Sequence, residues 1–454
     1  MSSEKQSVVR AMVLFLVPVV LSSVLQSLGQ VFGAVVVGQT LGVDSLAAIS
    51  AFFPLYFFLV SFAIGIGSGS SILIGQAYGG GHLLKVKEVV GITLAFTSLV
   101  SVVLACLGTV FAERILFWMG TPENILDASA VYARILFATL PITYLYIVYT
   151  TLLRGVGDSK TPFYFLIVST AINLILLPVL IFGWFGLPAL HLNGAAYASV
   201  CAGLFTLALL LLYLHKKKHA LMLDARVFRH FRLEGAVLKN LVRLAIPTSI
   251  SMVALSMSEI AVLTFVNEYG SNATAAYGVV NQIASYVMIP GMSISIAVSV
   301  FVAQSIGSGN HAALKQITKT GIALNYLFGG AVILLICVSA DPILRMFVDH
   351  RETLEIARSL ILLSFWGYVF MGHTMTISAT MRATGTVLWP TIFTISSIWV
   401  VQVPVAYVLS QMTPLGLHGV WIAYPIAFLF NLAVQSVYYR CAWKKKTHQV
   451  LVPE

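Results

Sequence analysis

The sequence predicts an all-α integral membrane protein whose twelve transmembrane helices form two pseudo-symmetric six-helix bundles. The composition is the first reason: 59% of the 454 residues are hydrophobic and only 9% are charged. Soluble domains carry about 25% charged residues, so this chain uses the lipid bilayer as its solvent. The second reason is an internal repeat, and the third is the placement of the basic residues along the chain.

Twelve apolar stretches are long enough to cross a membrane, since a helical span needs about 20 predominantly apolar residues. We place them near 11–37, 46–75, 88–112, 129–153, 163–184, 193–214, 240–266, 272–303, 319–340, 354–381, 390–410 and 417–441. The predicted organisation is a first bundle over 1–214, a cytoplasmic basic linker over 215–239, a second bundle over 240–442 and a cytoplasmic basic tail over 443–454.

The two halves of the chain share landmarks at an offset near 228 residues. An offset that persists across separate positions indicates a duplicated unit, and secondary transporters are often built from such repeats, with the substrate site between them. Because each half contains six spans, both halves begin on the same side of the membrane and have the same orientation. The matched pairs are Pro18 with Pro247, Gln76 with Gln304, Arg154 with Arg382, Pro178 with Pro404 and Gly194 with Gly419.

The net charge of +10 follows from the predicted topology. Of the 26 Lys and Arg residues, 21 fall on the side of the N-terminus and 5 on the other side. Basic loops stay in the cytoplasm, so both termini and the linker are predicted to be cytoplasmic, in a bacterial plasma or inner membrane. The same charge attracts anionic lipid headgroups and gives no reason to expect a nucleic-acid partner. In the linker, ALMLDARVFRHF fits either a short interfacial helix or a solvated segment.

Sequence motifs for metal, nucleotide or catalytic chemistry do not occur in this chain. The four cysteines are far apart and suit apolar packing better than a metal site or disulfides. The glycine run GIGSGSSILIG is not a phosphate loop, because no strand precedes it and no GK[ST] follows. The N-terminus shows no cleavage site, so no removable signal peptide is predicted. We expect a monomer that is not an enzyme, uses no cofactor or metal, and is driven by an ion gradient.

Ionisable side chains inside a membrane span are costly and mark function by default. Glu259 is the one acidic residue well inside a predicted span, and His373 is the one histidine in mid-span. We predict that Glu259 couples ion flow to substrate movement, with His373 in the same bundle and within reach of it. The alternatives are a glutamate held by hydrogen bonds from nearby serines or backbone groups, and a satisfied core histidine. Glu259 lies twelve residues after Pro247, as Gln30 lies twelve residues after Pro18.

Other polar residues within the spans are candidates for a substrate cleft. Each either lines a cavity or hydrogen-bonds across helices, a bond that contributes about 1 kcal/mol or less. Gln282 is the best placed of them, because it falls near Glu259 in a neighbouring span. The cleft candidates are Gln30, Asn173, Asn281 and Gln282, and further single polar residues are Asn325, Gln402 and Asn431.

Several motifs together resemble those of the multidrug and toxic compound extrusion (MATE) family over almost the whole chain. The resemblance implies twelve helices in two bundles that form a V around a central cleft. It also implies antiport of organic compounds against H⁺ or Na⁺ by rocking of the bundles. The motifs are VVVGQTLGVDSLAAIS, GQAYGGGHLLKVKEV and LLRGVGDSKTPF in the first half, and NEYGSNATAAYG, AQSIGSGNHAALKQI and MRATGTVLWP in the second.

The chain departs from the family pattern at four positions that are often acidic. Family members often have aspartates in spans one and five, where this chain has Gly33 and Leu177. One branch of the family has acidic residues in spans seven and ten, where this chain has Leu255 and Met371. Ion coupling must then use Glu259, alone or with His373, or differ from the family rule.

The expected function is secondary active export of organic, drug-like compounds, cationic or amphipathic, by alternating access and antiport with H⁺ or Na⁺. Its partners are then small organic substrates and membrane lipids. The alternative is a flippase of the same superfamily for lipids or lipid-linked oligosaccharides. A bulky anionic substrate favours several cavity arginines, whereas only Arg134 and Arg358 lie near span interiors, both toward the outer face. A non-transporting receptor or scaffold would not need two pseudo-symmetric units.

Overall fold

The structure is a computed structural model that describes residues 2–348, 350–446 and 450–452. Its first half consists of long apolar helices joined by short turns, followed by a linker that contains one short helix. The helices are α1 (Ser2–Leu41), α2 (Val43–Gly79), α3 (Leu83–Trp118), α4 (Glu123–Ala138), α5 (Leu140–Gly155), α6 (Lys160–Phe182), α7 (His191–Lys216) and, in the linker, α8 (Ala225–Arg229).

The second half repeats this order, but two of its spans contain a stretch of π-helix. The helices are α9 (Gly235–Asn267), α10 (Ser271–Gly307), α11 (His311–Leu324), α12 (Gly330–Val338), α13 (Ala340–Leu344), α14 (Arg351–Ser364), α15 (Gly367–Ala383), α16 (Leu388–Ser396), α17 (Val403–Gln411) and α18 (Leu417–Cys441). The π-helical stretches are Asn325–Gly329, between α11 and α12, and Ser397–Gln402, between α16 and α17.

The described part of the chain contains ten helices that are long and apolar enough to cross a membrane, or up to twelve if each of two bent helix pairs is one span. Each predicted span corresponds to one of these helices or pairs. The predicted fold class, an all-α membrane protein of twelve helices in two six-helix bundles, is therefore confirmed, and the protein is a multi-pass membrane protein.

The fourth and tenth spans, which the sequence predicted near 129–153 and 354–381, are bent. The pair α4 and α5 bends by 52°, and the pair α14 and α15 bends by 45°. At each break a hydroxyl donates to the carbonyl four residues earlier: Thr139 to Ile135 at 3.0 Å, and Ser364 to Leu360 at 2.6 Å. Such back-bonding competes with the helical ladder and bends helices. Pro141, near the start of α5, also lacks the N–H that would continue α4.

The helices gather into two compact units. One comprises Val17–Ile246 with Val452–Glu454, and the other comprises Pro247–Leu451 with Met1–Leu16. The divisions fall beside Pro18 in α1 and at Pro247 in α9, where a proline interrupts the backbone hydrogen bonding of the helix. Each of these two helices therefore contributes its first part to one unit and the remainder to the other.

Each unit has an aromatic core. In the first unit, Phe52 packs edge-on against Phe137 at a centroid distance of 5.5 Å, beside the fully buried Tyr144. In the second unit, the rings of Tyr277 and Trp421 are stacked at 6.0 Å and join α10 to α18. Burying an aromatic ring removes a large apolar area from solvent and fixes its neighbours, so these rings hold the helices of each unit together.

The cytoplasmic linker of the prediction is docked on the first unit, and only Ala225–Arg229 is helical. The buried Lys87 Nζ lies 3.0 Å from Asp224 Oδ2 and donates to the carbonyl of Met222 at 2.6 Å. Asp224 also caps α8, because its Oδ1 accepts from the Val227 amide at 3.1 Å. The Tyr149 hydroxyl donates to the carbonyl of Leu221 at 3.0 Å. The linker therefore combines a short helix with irregular but anchored backbone.

The ion pair between Lys87 and Asp224 predicts a pH-dependent linker. Partial burial favours the neutral acid, but hydrogen bonds from Lys87 and Val227 outweigh it and hold the pKa of Asp224 below its ordinary value. A depressed folded-state pKa gives stability that is present above the unfolded value, about 3.9, and is lost as pH falls through the folded value. We expect linker amides to lose hydrogen-exchange protection in that acidic range. Asp224→Asn should weaken docking at neutral pH by about 1.5–3 kcal/mol.

The matched control for the linker is the pair Arg232 and Glu234, which is also in the linker but largely exposed, with an N···O distance of 3.1 Å. Exposed pairs contribute about 0–1 kcal/mol, so Glu234→Gln should leave hydrogen exchange nearly unchanged. Equal exchange in the Asp224 and Glu234 variants would show that the ion pair does not hold the linker.

Candidate functional site

Glu259 lies in α9 with an exposed side chain. Among the described residues, none forms a hydrogen bond or ion pair with its carboxylate. The nearby serines donate to their own helix instead: Ser258 to the carbonyl of Leu255 at 2.7 Å, and Ser256 to the carbonyl of Met252 at 3.2 Å. The hydrogen bonds that would hold Glu259 as a purely structural residue are therefore not formed in the part of the chain that the structure describes.

Three tyrosines form a cluster beside this glutamate, which we call the tyrosine cluster: Tyr277, Tyr368 and Tyr424. All three are close enough to Glu259 to interact with it electrostatically. The hydroxyls of Tyr277 and Tyr424 are 2.8 Å apart. Phenolic hydroxyls are neutral donors and acceptors, so the cluster offers polar atoms near the carboxylate without a neutralising positive charge.

His373 does not form the predicted pair with Glu259. Its Nδ1 lies 3.0 Å from the hydroxyl of Tyr326, and the two rings meet edge to face with centroids 5.6 Å apart. Tyr326 belongs to the π-helical stretch Asn325–Gly329, whose wider winding changes which residues face α15. In the described part of the second unit, the hydrogen bond of His373 is thus to a tyrosine, and no ion pair joins it to Glu259.

The predicted cleft residues are in different surroundings. Gln30 is exposed on α1. Asn173 donates a hydrogen bond to Ser199 Oγ at 3.2 Å and so joins α6 to α7. This bond fits the alternative in which Asn173 connects two helices. Gln282 donates to the Tyr286 hydroxyl at 3.2 Å on its own helix. Of the four, Asn281 lies on α10 one helical turn after Tyr277 of the tyrosine cluster.

A separate pocket lies within the second unit, between α9, α15, α16, α18 and the second π-helical stretch. Its volume is about 140 Å³, which corresponds to roughly ten water molecules at 10–15 Å³ each. Leu255 and Met371, the two positions where one family branch has acidic residues, both line it. Arg382 lines it as well. In this chain the pocket therefore has an arginine and no acidic residue among its described lining residues.

The tyrosine cluster and the place of Arg382 in this pocket were not predictable from the sequence. Tyrosines are common in apolar spans, and no spacing connects Tyr277, Tyr368 and Tyr424, which come from three helices. Arg382 had a visible signal, since it matches Arg154 in the repeat and lies near a predicted span end. The sequence assigned Arg382 only to the cytoplasmic side of the membrane. Part of the pocket's lining is distant from Arg382 in the sequence, so the pocket itself was not visible.

Comparison with known proteins places this architecture in one family. A model of the MatE family matches residues 18–179 and again residues 247–408, so the two copies coincide with the predicted repeat. The chain is 56% identical over 442 residues to the probable multidrug resistance protein YoeA of Bacillus subtilis, covering 97% of this chain and 96% of that protein. It is 24% identical over 439 residues to the probable multidrug resistance protein YpnP of the same organism, covering 96% of each.

A solved structure shows the same fold despite little sequence identity. The crystal structure of a mutant of VcmN, a Vibrio cholerae MATE transporter, superposes with a TM-score of 0.91 at 17% identity, covering 99% of both chains. The similarity thus concerns the arrangement of helices over the full length of the chain.

Proposed function

This chain belongs to the MATE family of transporters, and on that premise we propose that it exports organic, drug-like compounds by antiport with H⁺ or Na⁺. The observation that carries the proposal is Glu259, a carboxylate inside a membrane span with no hydrogen-bond or ion-pair partner among the described residues. The multidrug resistance proteins to which the chain is similar support organic compounds as the transported class.

The proposed coupling step is binding of the ion to Glu259. A charged carboxylate without a partner is costly in the membrane, so uptake of H⁺ or Na⁺ stabilises the site when water is excluded. The tyrosine cluster lies within electrostatic range of the carboxylate, and its hydroxyl oxygens are of the kind that coordinates Na⁺. Two states of the transporter then differ in their affinity for the ion, and a ligand shifts an equilibrium only to the extent that it discriminates between the states.

The setting of this activity is a bacterial plasma or inner membrane, with both termini and the linker in the cytoplasm. The basic excess on that side supports the orientation. We propose that the transporter works as a monomer, with small organic substrates and the surrounding lipids as its partners.

The flippase alternative is supported less well. A lipid-linked oligosaccharide has a bulky anionic headgroup, which favours several arginines along the cavity. The pocket of the second unit contains a single arginine, Arg382, among its described lining residues. Drug export by antiport therefore remains the function that the observations support best.

Purified protein in sealed vesicles tests the proposed function. We expect ethidium, a cationic amphipathic dye, to accumulate against its gradient when an H⁺ or a Na⁺ gradient is imposed separately, and we expect no accumulation without a gradient. The ion that drives transport is the coupling ion. Vesicles without protein give the background rate. Dye movement at that background rate under both gradients would contradict the proposal.

A further inference from the structure

The pocket of the second unit carries a positive charge, and the proposed coupling residue Glu259 is not among its described lining residues. Arg382 is the one charged residue among its described lining residues. Leu255 and Met371, which occupy the positions that are acidic in one branch of the family, also line the pocket and carry no charge. Among the described residues, none forms an ion pair with Arg382, and the described lining of its pocket contains no acidic residue. A guanidinium that is largely enclosed by protein without a counter-charge is costly, so the pocket favours an anion.

Further donors in the pocket point to the same ligand. Thr391, which is 7% exposed, has a buried hydroxyl oxygen that has no hydrogen-bond partner in the described structure. Asn431 accepts a hydrogen bond from Gln435 at its Oδ1, which leaves its amide N–H groups available to the pocket. A carboxylate or a phosphate accepts hydrogen bonds from a guanidinium, a hydroxyl or an amide N–H. Arginine can bind either anion with two parallel hydrogen bonds.

The opposite wall of the pocket is apolar. It is formed by side chains that include Met252, Leu255, Met371, Met375 and Phe428. Methionine side chains are flexible and adapt to ligands of different shape. A ligand that satisfies both walls has an anionic group at one end and an apolar body at the other.

We propose that this pocket binds amphipathic organic anions, with the carboxylate or phosphate on Arg382 and Thr391 and the apolar body against the methionine wall. Arg382 lies in the last turn of α15, where the negative end of the helix dipole stabilises a cation in part. The site needs no ion gradient, and its existence is independent of the proposed antiport.

The test is equilibrium binding of 4-phenylbutyrate and of its neutral, size-matched amide to the purified full-length protein, measured by calorimetry. We expect the carboxylate to bind at least about tenfold more tightly, a difference of about 1.4 kcal/mol. Arg382→Gln should abolish this preference and Arg382→Lys should keep part of it. Arg154→Gln removes the matching arginine of the first repeat, which does not line this pocket, and should keep the preference in full.

Two further variants keep the test decisive if Arg382→Gln fails to fold. Thr391→Val removes the unpartnered hydroxyl and should weaken binding of the carboxylate more than binding of the amide. Leu255→Trp fills the pocket while Arg382 stays in place, and it should weaken binding of both. Equal affinity of the parent protein for carboxylate and amide, or unchanged carboxylate preference in folded Arg382→Gln, would overturn the proposal.

Lipid bilayers distinguish the two sources of such an anion. In nanodiscs of phosphatidylcholine, the binding of 4-phenylbutyrate is compared with its binding in discs that also contain phosphatidylglycerol. If the pocket takes an anionic lipid headgroup, phosphatidylglycerol competes with the probe, so the probe binds more weakly in discs that contain this lipid, in the parent and in Arg154→Gln alike. If the pocket takes dissolved organic anions, both kinds of disc give the same affinity.

Discussion

A Glu259→Gln protein is expected to fold, to insert in the membrane and to lose gradient-driven export. Glutamine has nearly the same size and keeps a polar side chain at this position, but it can neither bind a proton at neutral pH nor contribute a charge to Na⁺. Because Glu259 is exposed and makes no bond in the described structure, its stability contribution should be small, within about 0.5 kcal/mol. We expect ethidium transport to fall to the rate of protein-free vesicles, while ethidium binding changes by only a few-fold.

Glu268 provides a matched control for this substitution. It follows the end of α9, is exposed and accepts a hydrogen bond from Gln411. Glu268→Gln removes one carboxylate charge at a position nine residues after Glu259, and it should leave transport under both gradients intact. If Glu259→Gln vesicles export ethidium at the parent rate, Glu259 is structural and the coupling site lies elsewhere.

A Gly372→Ala protein is expected to lose about 2–4 kcal/mol of unfolding free energy, although the change adds only one methyl group. A Cβ at Gly372 would overlap the side-chain oxygen of Asn325, which is 2% exposed. Asn325 donates to the carbonyl of Val369 at 2.9 Å, so it cannot move aside without breaking a buried hydrogen bond. Thermal unfolding in detergent, followed by tryptophan fluorescence, measures the loss.

Gly330→Ala is the control for the added methyl group. Gly330 begins α12, close in sequence to Asn325, and a Cβ there would meet no atom within 4 Å. Alanine is the better helix former by about 1 kcal/mol, so this variant should be no less stable than the parent. In an Asn325→Ala background the clash is gone, and Gly372→Ala should then cost little. Equal losses in both backgrounds would mean that the contact with Asn325 is not the cause.

Much of the fold could be predicted from the sequence because hydropathy and repetition are properties of the chain itself. The twelve spans and the duplicated order required no knowledge of packing. The bends at Thr139 and Ser364 were missed, because a hydroxyl in a helix bends it only in some surroundings. The first break also carries a proline, Pro141, which is visible in the sequence.

The candidate site could be predicted only in part. Glu259 is conspicuous in the sequence because a lone acid in an apolar span is rare. Its surroundings were not predictable, since Tyr277, Tyr368 and Tyr424 come from three separate helices and meet only in the folded unit. The pairing of Glu259 with His373 was expected from their depth in the membrane, but depth does not fix the direction in which a side chain points.

The two bends mark equivalent points in the two repeats. They occur in the fourth helix of each repeat, at 52° and 45°, yet only the first is accompanied by a proline, Pro141. Both breaks carry a hydroxyl that bonds back to its own helix, that of Thr139 in the first repeat and that of Ser364 in the second. The hydroxyl is therefore the feature that the two bends have in common, and a bend of this size does not require the proline.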